Sequence, residues 1–191
     1  MKIIGITGGT GAGKSAVCDE LKKCGAEIVD ADKIARQIVQ KGQPALVEIT
    51  GAFGTEVLTT DGELNRKMLA GIVFSDCEKL KKLNEITHKY VYDEMKRQIE
   101  SSMAEIVVLG VPLLFQCDFP IECDVTVAVI ADQEERIMRV MQRDGIERED
   151  ALSRMSNQLT DKEYAEMADV CFENNGDKER IKEFAQELCR L

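Results

Sequence analysis

The sequence predicts an α/β fold: a doubly wound parallel sheet of about five strands, with helices between the strands. Three observations support this. Short apolar runs alternate with helical patterns, a glycine-rich segment joins the first run to the first helix, and two long stretches are almost entirely helical. Such alternation is typical of right-handed crossovers between parallel strands. We therefore expect one domain over residues 1–191.

The predicted strands are short and continuously apolar, as strands that are buried on both faces usually are. They are Lys2–Thr7, Ala26–Val29, Ile106–Leu109, Val125–Ile130 and Asp169–Phe172. Helices are predicted over Ser15–Lys23 and over residues 76–102. Two helical insertions, residues 31–103 and 132–168, interrupt the alternation at the carboxyl edge of the sheet, where ligands lie in such folds.

Composition narrows the classes of function. A net charge of −10 over 191 residues opposes binding to nucleic acid or to an anionic membrane, so we expect neither as a partner. The seven cysteines form no CxxC pair and the chain has one histidine, which indicates reduced thiols and no structural zinc. The chain enters its first strand without a basic, apolar leader. We expect a cytoplasmic protein and a monomer.

Residues 8–15, GGTGAGKS, match the phosphate-binding pattern GxxxxGK[ST] and lie between a strand and a helix, as that pattern requires. Glycines let successive N–H groups turn toward phosphate oxygens, and the helix start adds its positive dipole end. Lys14 is positioned to reach the β- and γ-phosphates, and the Ser15 hydroxyl to bind Mg²⁺. The segment predicts a nucleoside triphosphate site. A switch GTPase is disfavoured, because the sequence contains neither DxxG nor NKxD.

Two aspartates follow the second predicted strand in VDADKIAR, residues 29–36. A hydroxyl that attacks phosphorus needs an acceptor for its proton, and a carboxylate at this edge can provide one. The alternative is that Asp30 or Asp32 caps the following helix. One can cap while the other works, and we favour Asp32 as the base.

The segment after the fourth strand predicts a helix that begins with an Asp132 and Glu135 capping box. Arg136, Arg139 and Arg143 recur on one face of this helix. Two interpretations stay open: a lid helix whose arginines stabilise the charge of phosphoryl transfer, or a solvated face of ion pairs such as Asp132–Arg136 and Glu135–Arg139. We favour the lid.

His88 lies on the predicted long helix among several lysines. A lone histidine at a surface usually has no special role, yet one beside lysines is able to help hold an anionic acceptor. Both interpretations stay open on spacing alone.

Seven blocks of the chain together resemble the dephospho-CoA kinase family, in the order in which that family carries them. They are GITGGTGAGKS, VDADKIARQIV, AFGTEVLTTDGELNRKMLAGIVF, LNEITH, VPLLF, RVMQRDG and ADVCFENNG. The blocks span essentially the whole chain, and the second and third are far more specific than the phosphate pattern.

The resemblance implies a P-loop kinase-like fold and transfer of the γ-phosphate of ATP to the ribose 3′-hydroxyl of dephospho-CoA, the last step of coenzyme A synthesis. It implies ATP binding by Thr10, Gly11, Ala12, Gly13, Lys14, Ser15 and Ala16, with Asn175 near the adenosine end. It also implies Asp32 as base, Arg139 and Arg143 as charge-stabilising groups beside Lys14, and Mg²⁺ as cofactor. Residues 31–103 would bind dephospho-CoA, with Arg66 and His88 lining the site, and residues 132–168 would form the lid.

Three positions depart from the family pattern: many members have Asp at Gly110, Glu at Gln116 and Pro at Lys89. The first departure leaves no carboxylate at the end of the third strand, so we expect Ser15 as the metal-binding side chain. Two further functions stay open: another small-acceptor kinase of nucleoside-monophosphate-kinase type, or a non-catalytic ATP-binding sensor.

Overall fold

The computed structural model describes residues 1–116, 119–156 and 158–190. These residues form a five-stranded sheet of order β2-β3-β1-β4-β5, in which every pairing is parallel. The strands are β1 Lys2–Thr7, β2 Glu27–Asp30, β3 Ile106–Gly110, β4 Val125–Ile130 and β5 Val170–Glu173. The prediction of five parallel strands is confirmed, and its boundaries differ by at most one residue.

The helices account for most of the remaining described residues. They are α1 Lys14–Lys23, α2 Ala31–Gln37, α3 Pro44–Phe53, α4 Arg66–Val73, α5 Cys77–Ser101, α6 Gln133–Asp144, α7 Arg148–Met155, α8 Asp161–Met167 and α9 Lys178–Leu188, with a 3₁₀ turn at Thr55–Val57. The predicted first helix and the predicted long helix correspond to α1 and α5, each within one residue at either end.

Burial of apolar side chains stabilises the central strand β1. Ile4 and Ile6 have no exposed surface, and their neighbours in β3 and β4 are equally apolar. Helix α1 packs here because Val17, Cys18 and Leu21 lie on one face of it, in a cluster that also includes residues of α9. Fully burying one such aliphatic side chain contributes about 1.5–3 kcal/mol, so this cluster stabilises the packing of α1 against β1.

The chain divides into two compact units. The first contains Met1–Asp30 and Ser101–Leu191, and therefore holds the sheet with α1 and α6 to α9. The second contains Ala31–Glu100, which is nearly the range of the predicted first insertion, and holds α2 to α4 and almost all of α5. That the chain forms one domain with two helical insertions stays a prediction.

The sheet brings several loops of the first unit to one edge. Since its strands are parallel, all five end at the carboxyl edge, at Thr7, Asp30, Gly110, Ile130 and Glu173. The predicted phosphate loop lies at this edge.

Two further findings concern the described residues. Their helices include none with the length and apolar character needed to cross a bilayer. Their six cysteines carry free thiols, while the seventh, Cys117, lies outside the described residues.

Candidate active site

The loop between β1 and α1 has the backbone conformation that its glycines permit. Gly8, Gly11 and Gly13 have φ values of 140°, 80° and 95°, a region that other residues rarely adopt. Helix α1 begins at Lys14, directly after Gly13, and its N-terminus carries no side-chain cap. The positive end of the helix dipole therefore faces the loop without a capping carboxylate or hydroxyl, which favours an anion there.

Three successive carbonyl oxygens of this loop accept hydrogen bonds from side chains that follow β4 and β5. The pairs are Thr10 O with Arg136 Nε at 3.0 Å, Gly11 O with Arg139 Nη1 at 3.3 Å, and Ala12 O with Asn174 Nδ2 at 2.9 Å. A peptide plane whose carbonyl is fixed has a fixed N–H on its opposite side. The three side chains thus fix the directions of the N–H groups of Gly11, Ala12 and Gly13, of which that of Ala12 donates to Gly9 O at 3.2 Å.

Lys14, the first residue of α1, reaches back over the loop. Its Nζ donates to Gly8 O at 2.6 Å and to Gly9 O at 3.3 Å. Ser15 is exposed in the first turn of α1, and Ala16 is half-buried beside it. The ammonium group that the sequence predicted for phosphate binding therefore lies against the start of the loop, and the hydroxyl predicted for the metal lies in the helix that follows it.

The three arginines of α6 differ in burial. Their side chains are 6% exposed at Arg136, 27% at Arg139 and 63% at Arg143. Arg136 pairs with Asp161 at 2.8 Å, and Asp132 instead caps α6, accepting hydrogen bonds from the N–H groups of Glu134 and Glu135. The pair of Asp132 with Arg136 that the ion-pair interpretation proposed is thus replaced by a pair of Arg136 with Asp161.

The other two arginines make ion pairs nearer to the surface. Arg139 approaches Glu135 to 3.4 Å, as the ion-pair interpretation predicted, and also donates to Asn174 O at 3.2 Å. Arg143 pairs with Asp144 at 2.7 Å. A role in a lid stays a prediction for both.

The two asparagines that follow β5 differ in burial. Asn174 is buried, continues the pairing of β5 through its N–H to Ile130 O at 2.8 Å, and bonds the phosphate loop. Asn175, predicted near the adenosine end of ATP, is exposed next to it. The contact with adenosine stays a prediction for Asn175.

Asp30 ends β2 at the same edge as the loop, in register with Gly110 of β3. Burial, and next the negative charge of Asp30, raise the pKa of the Cys18 thiol on α1 to about 12, while Lys14 lowers it. The carboxylate of Asp30 and the ammonium of Lys14 thus both act on the same buried thiol. Asp30 and the loop lie at the same edge of the sheet, with β3 between their two strands.

The remaining predicted residues lie in the second unit. Asp32 is exposed in the first turn of α2, and Arg66 is exposed at the start of α4, behind the Asn65 cap. His88 is half-buried on α5, with its ring centroid 5.6 Å from that of Tyr92. Their roles as base and as acceptor-binding residues stay predictions.

Sequence reasoning missed three side chains that hold the loop: Arg136 in this role, Asn174 and Gln158. The alternation of β5 was a usable signal for Asn174, because Phe172 and Asn174 are buried and Glu173 between them is exposed. Gln158 lies between α7 and α8, where no periodic pattern marks it.

Comparisons with known proteins agree on one family. A family model described as dephospho-CoA kinase matches residues 2–180. A dephospho-CoA kinase of Carboxydothermus hydrogenoformans is 40% identical over 186 residues, which cover 96% of this chain and 90% of that protein. Another, of Shouchella clausii, is 41% identical over 179 residues, with 92% and 91% covered.

A crystal structure from Thermus thermophilus covers 100% of this chain and 97% of its own, with a TM-score of 0.85 at 34% identity. These similarities, with the sheet order above, confirm the predicted P-loop kinase-like fold.

Gly9 has no room for a side chain. A Cβ there would collide with the guanidinium of Arg136, which would have to release Thr10 O or push the loop aside. We expect Gly9→Ala to weaken ADP binding by about tenfold or more, the equivalent of one or two lost hydrogen bonds, as measured by calorimetry.

Gly71→Ala is the matched control, because Gly71 lies in α4 and a Cβ there would meet nothing within 4 Å. It should leave ADP binding unchanged and stabilise the protein by up to about 1 kcal/mol. Wild-type affinity in Gly9→Ala would show that Arg136 does not shape the phosphate site.

Proposed function

This chain belongs to the dephospho-CoA kinase family, and from that premise we propose how its residues phosphorylate the ribose 3′-hydroxyl of dephospho-CoA with ATP, which yields coenzyme A and ADP. This reaction is the final step of coenzyme A biosynthesis. The observation that carries the proposal is the structure of the phosphate loop. Side chains from other segments donate to three of its carbonyls, and the Lys14 ammonium donates to Gly8 O. The family does not favour the alternatives of another small-acceptor kinase or an ATP sensor.

We propose that the N–H groups of the loop and of the first turn of α1 bind the phosphates of ATP. Lys14 then exchanges its carbonyl partners, Gly8 O and Gly9 O, for oxygens of the β- and γ-phosphates. The exchange is favourable because a charge-assisted bond to a phosphate is stronger than a bond to a neutral carbonyl. Asn175, which is exposed directly after β5, is proposed to contact the adenosine end.

Asp32 is proposed as the general base. Its carboxylate accepts the proton of the 3′-hydroxyl as that oxygen forms its bond to the γ-phosphorus and the bond to the β,γ-bridging oxygen breaks. Its place in the first turn of the exposed start of α2 leaves the carboxylate accessible to a substrate. Arg66 and His88, together with nearby lysines of α5, are proposed to hold the anionic pyrophosphate of dephospho-CoA.

Arg139 and Arg143 are proposed to stabilise the negative charge that spreads over the transferred group. The bond from Arg139 to Gly11 O supports this role, because it places one guanidinium against the phosphate loop. Arg143 lies one helical turn further along α6 and is largely exposed, so it reaches the phosphates only if the segment of residues 132–168 closes as a lid.

Mg²⁺ is proposed as the metal, and the donor set fits it in part. Among the described residues, no cluster of three or more His, Cys, Asp or Glu side chains could hold an ion. Ser15 offers an exposed hydroxyl, and Asp30 offers a carboxylate at the same edge of the sheet. Oxygen donors of this kind, with phosphates and water, suit Mg²⁺, which when bound would neutralise charge on the β- and γ-phosphates.

A cytoplasmic location and a monomeric state complete the proposal. The free thiols of the six described cysteines support the first.

Asp32→Asn is expected to lower kcat by at least about a hundredfold, because the amide cannot accept the hydroxyl proton, and to leave the ATP dissociation constant within about twofold of wild type. Stopped assays of coenzyme A formation and calorimetric ATP titrations measure the two quantities. Near-normal turnover in Asp32→Asn would exclude it as the base.

Asp30→Asn is the matched comparison, two residues away. It should retain more turnover than Asp32→Asn but need a higher Mg²⁺ concentration for half-maximal rate. The opposite ranking of the two variants would exchange the roles proposed for them.

Arg143→Ala is expected to lower kcat by about tenfold or more while it changes the ATP dissociation constant little, because its proposed contact forms only when the lid closes. Arg154→Ala is the control, since Arg154 pairs with the same Asp144 at 2.7 Å and has no proposed catalytic contact. A loss of ATP affinity with unchanged kcat in Arg143→Ala would make it a binding residue only.

A further inference from the structure

Thr10 is bonded at three polar atoms by the segment that follows β4. Its N–H donates to Gln158 Oε1 at 2.8 Å, and its hydroxyl oxygen accepts from Gln158 Nε2 at 3.0 Å. Its carbonyl accepts from Arg136 Nε at 3.0 Å. One glutamine side chain therefore bonds both the main chain and the side chain of Thr10, which fixes the position and the rotation of this residue.

Gln158 is itself fixed in place. It is half-buried, and its N–H donates to Met155 O at 3.1 Å at the end of α7. Downstream, Thr160 caps α8 in a capping box with Glu163, and Asp161 pairs with Arg136. The connection from α7 to α8 thus reaches Thr10 by two routes, directly through Gln158 and through Asp161 and Arg136. Such reciprocal bonding differs from the single, exposed hydrogen bond that a surface glutamine commonly makes.

The bond from Thr10 to Gln158 has a consequence for phosphate binding. An N–H that points at Gln158 Oε1 with a 2.8 Å separation is not directed at a phosphate oxygen at the same time. By the same criterion Ala12 N–H, which donates to Gly9 O at 3.2 Å, is engaged within the loop, so the first N–H left for a phosphate is that of Gly11.

We propose that Gln158 is a positioning residue of the phosphate loop, which engages the Thr10 N–H so that nucleotide phosphates are bound from Gly11 onward. Thr10 then anchors the loop and does not donate its N–H to ATP, in contrast to the role that the family resemblance implies for it. This inference rests on the proposed function in one respect, the identity of the nucleotide. The Thr10–Gln158 bonds themselves require neither ATP nor an acceptor.

The test uses Gln158→Met, which keeps the length of the side chain and removes both hydrogen bonds. Amide hydrogen exchange of the isotopically labelled full chain is followed by NMR without nucleotide and with saturating ADP. Without nucleotide, exchange at Thr10 should become about tenfold faster or more than in wild type. With ADP, the amides from Gly11 onward should gain protection in the variant while Thr10 stays unprotected.

The same variant should bind ADP about tenfold more weakly by calorimetry, because Gln158 no longer holds the loop at Thr10. Its melting temperature without nucleotide should stay within a few degrees of that of the wild type. Gln142→Met, a substitution of an exposed glutamine on α6, should change neither readout.

Either of two outcomes would overturn the inference. Equal exchange at Thr10 in wild type and Gln158→Met would show that the bond does not persist in solution. Recovery of Thr10 protection in Gln158→Met on addition of ADP, together with wild-type ADP affinity, would show that Gln158 does not position the loop for phosphate binding. A failed kinase assay would contradict the proposed function and leave the nucleotide-free exchange result standing, so the two failures are distinguishable.

Discussion

The hydrogen bonds between the phosphate-loop carbonyls and Arg136, Arg139 and Asn174 are the constraint on which the site depends. A loop rich in glycine has many accessible conformations, and ordering it costs more entropy than ordering other residues. The hydrogen bonds from these three side chains offset that entropy cost when the chain folds, before any ligand binds. The N–H groups are then preorganised for an anion, which is how a binding site gains affinity without additional contacts.

The same arrangement explains how a chain of net charge −10 can bind anionic substrates. Some of its acidic residues pair with neighbours of opposite charge, as Glu134 does with Arg148 and Asp144 with Arg154. Lys14, by contrast, brings its charge to the loop itself, where its Nζ donates to Gly8 O and Gly9 O. Local cations therefore determine binding at the sheet edge, while the overall charge is screened over about 8–10 Å at physiological ionic strength.

The strands and the loop were predictable because their signals are local. Apolar runs identified β1 and β4 to the residue, and GGTGAGKS identified the phosphate loop. The contacts that hold the loop were not predictable in this way, since Gln158 and Thr10 are separated by 148 positions and no periodicity relates them. Arg136 was visible only as one member of an arginine stripe, and helical spacing alone could not show that burial differs so strongly along that stripe.

The central claim, phosphorylation of dephospho-CoA, is tested most directly by measuring ADP release from ATP and Mg²⁺ with dephospho-CoA, AMP, adenosine or no acceptor. The assay should include identification of the product. We expect turnover with dephospho-CoA alone and coenzyme A as product. ADP release that is independent of the acceptor would instead reveal an ATPase, and it would contradict the function proposed for this chain.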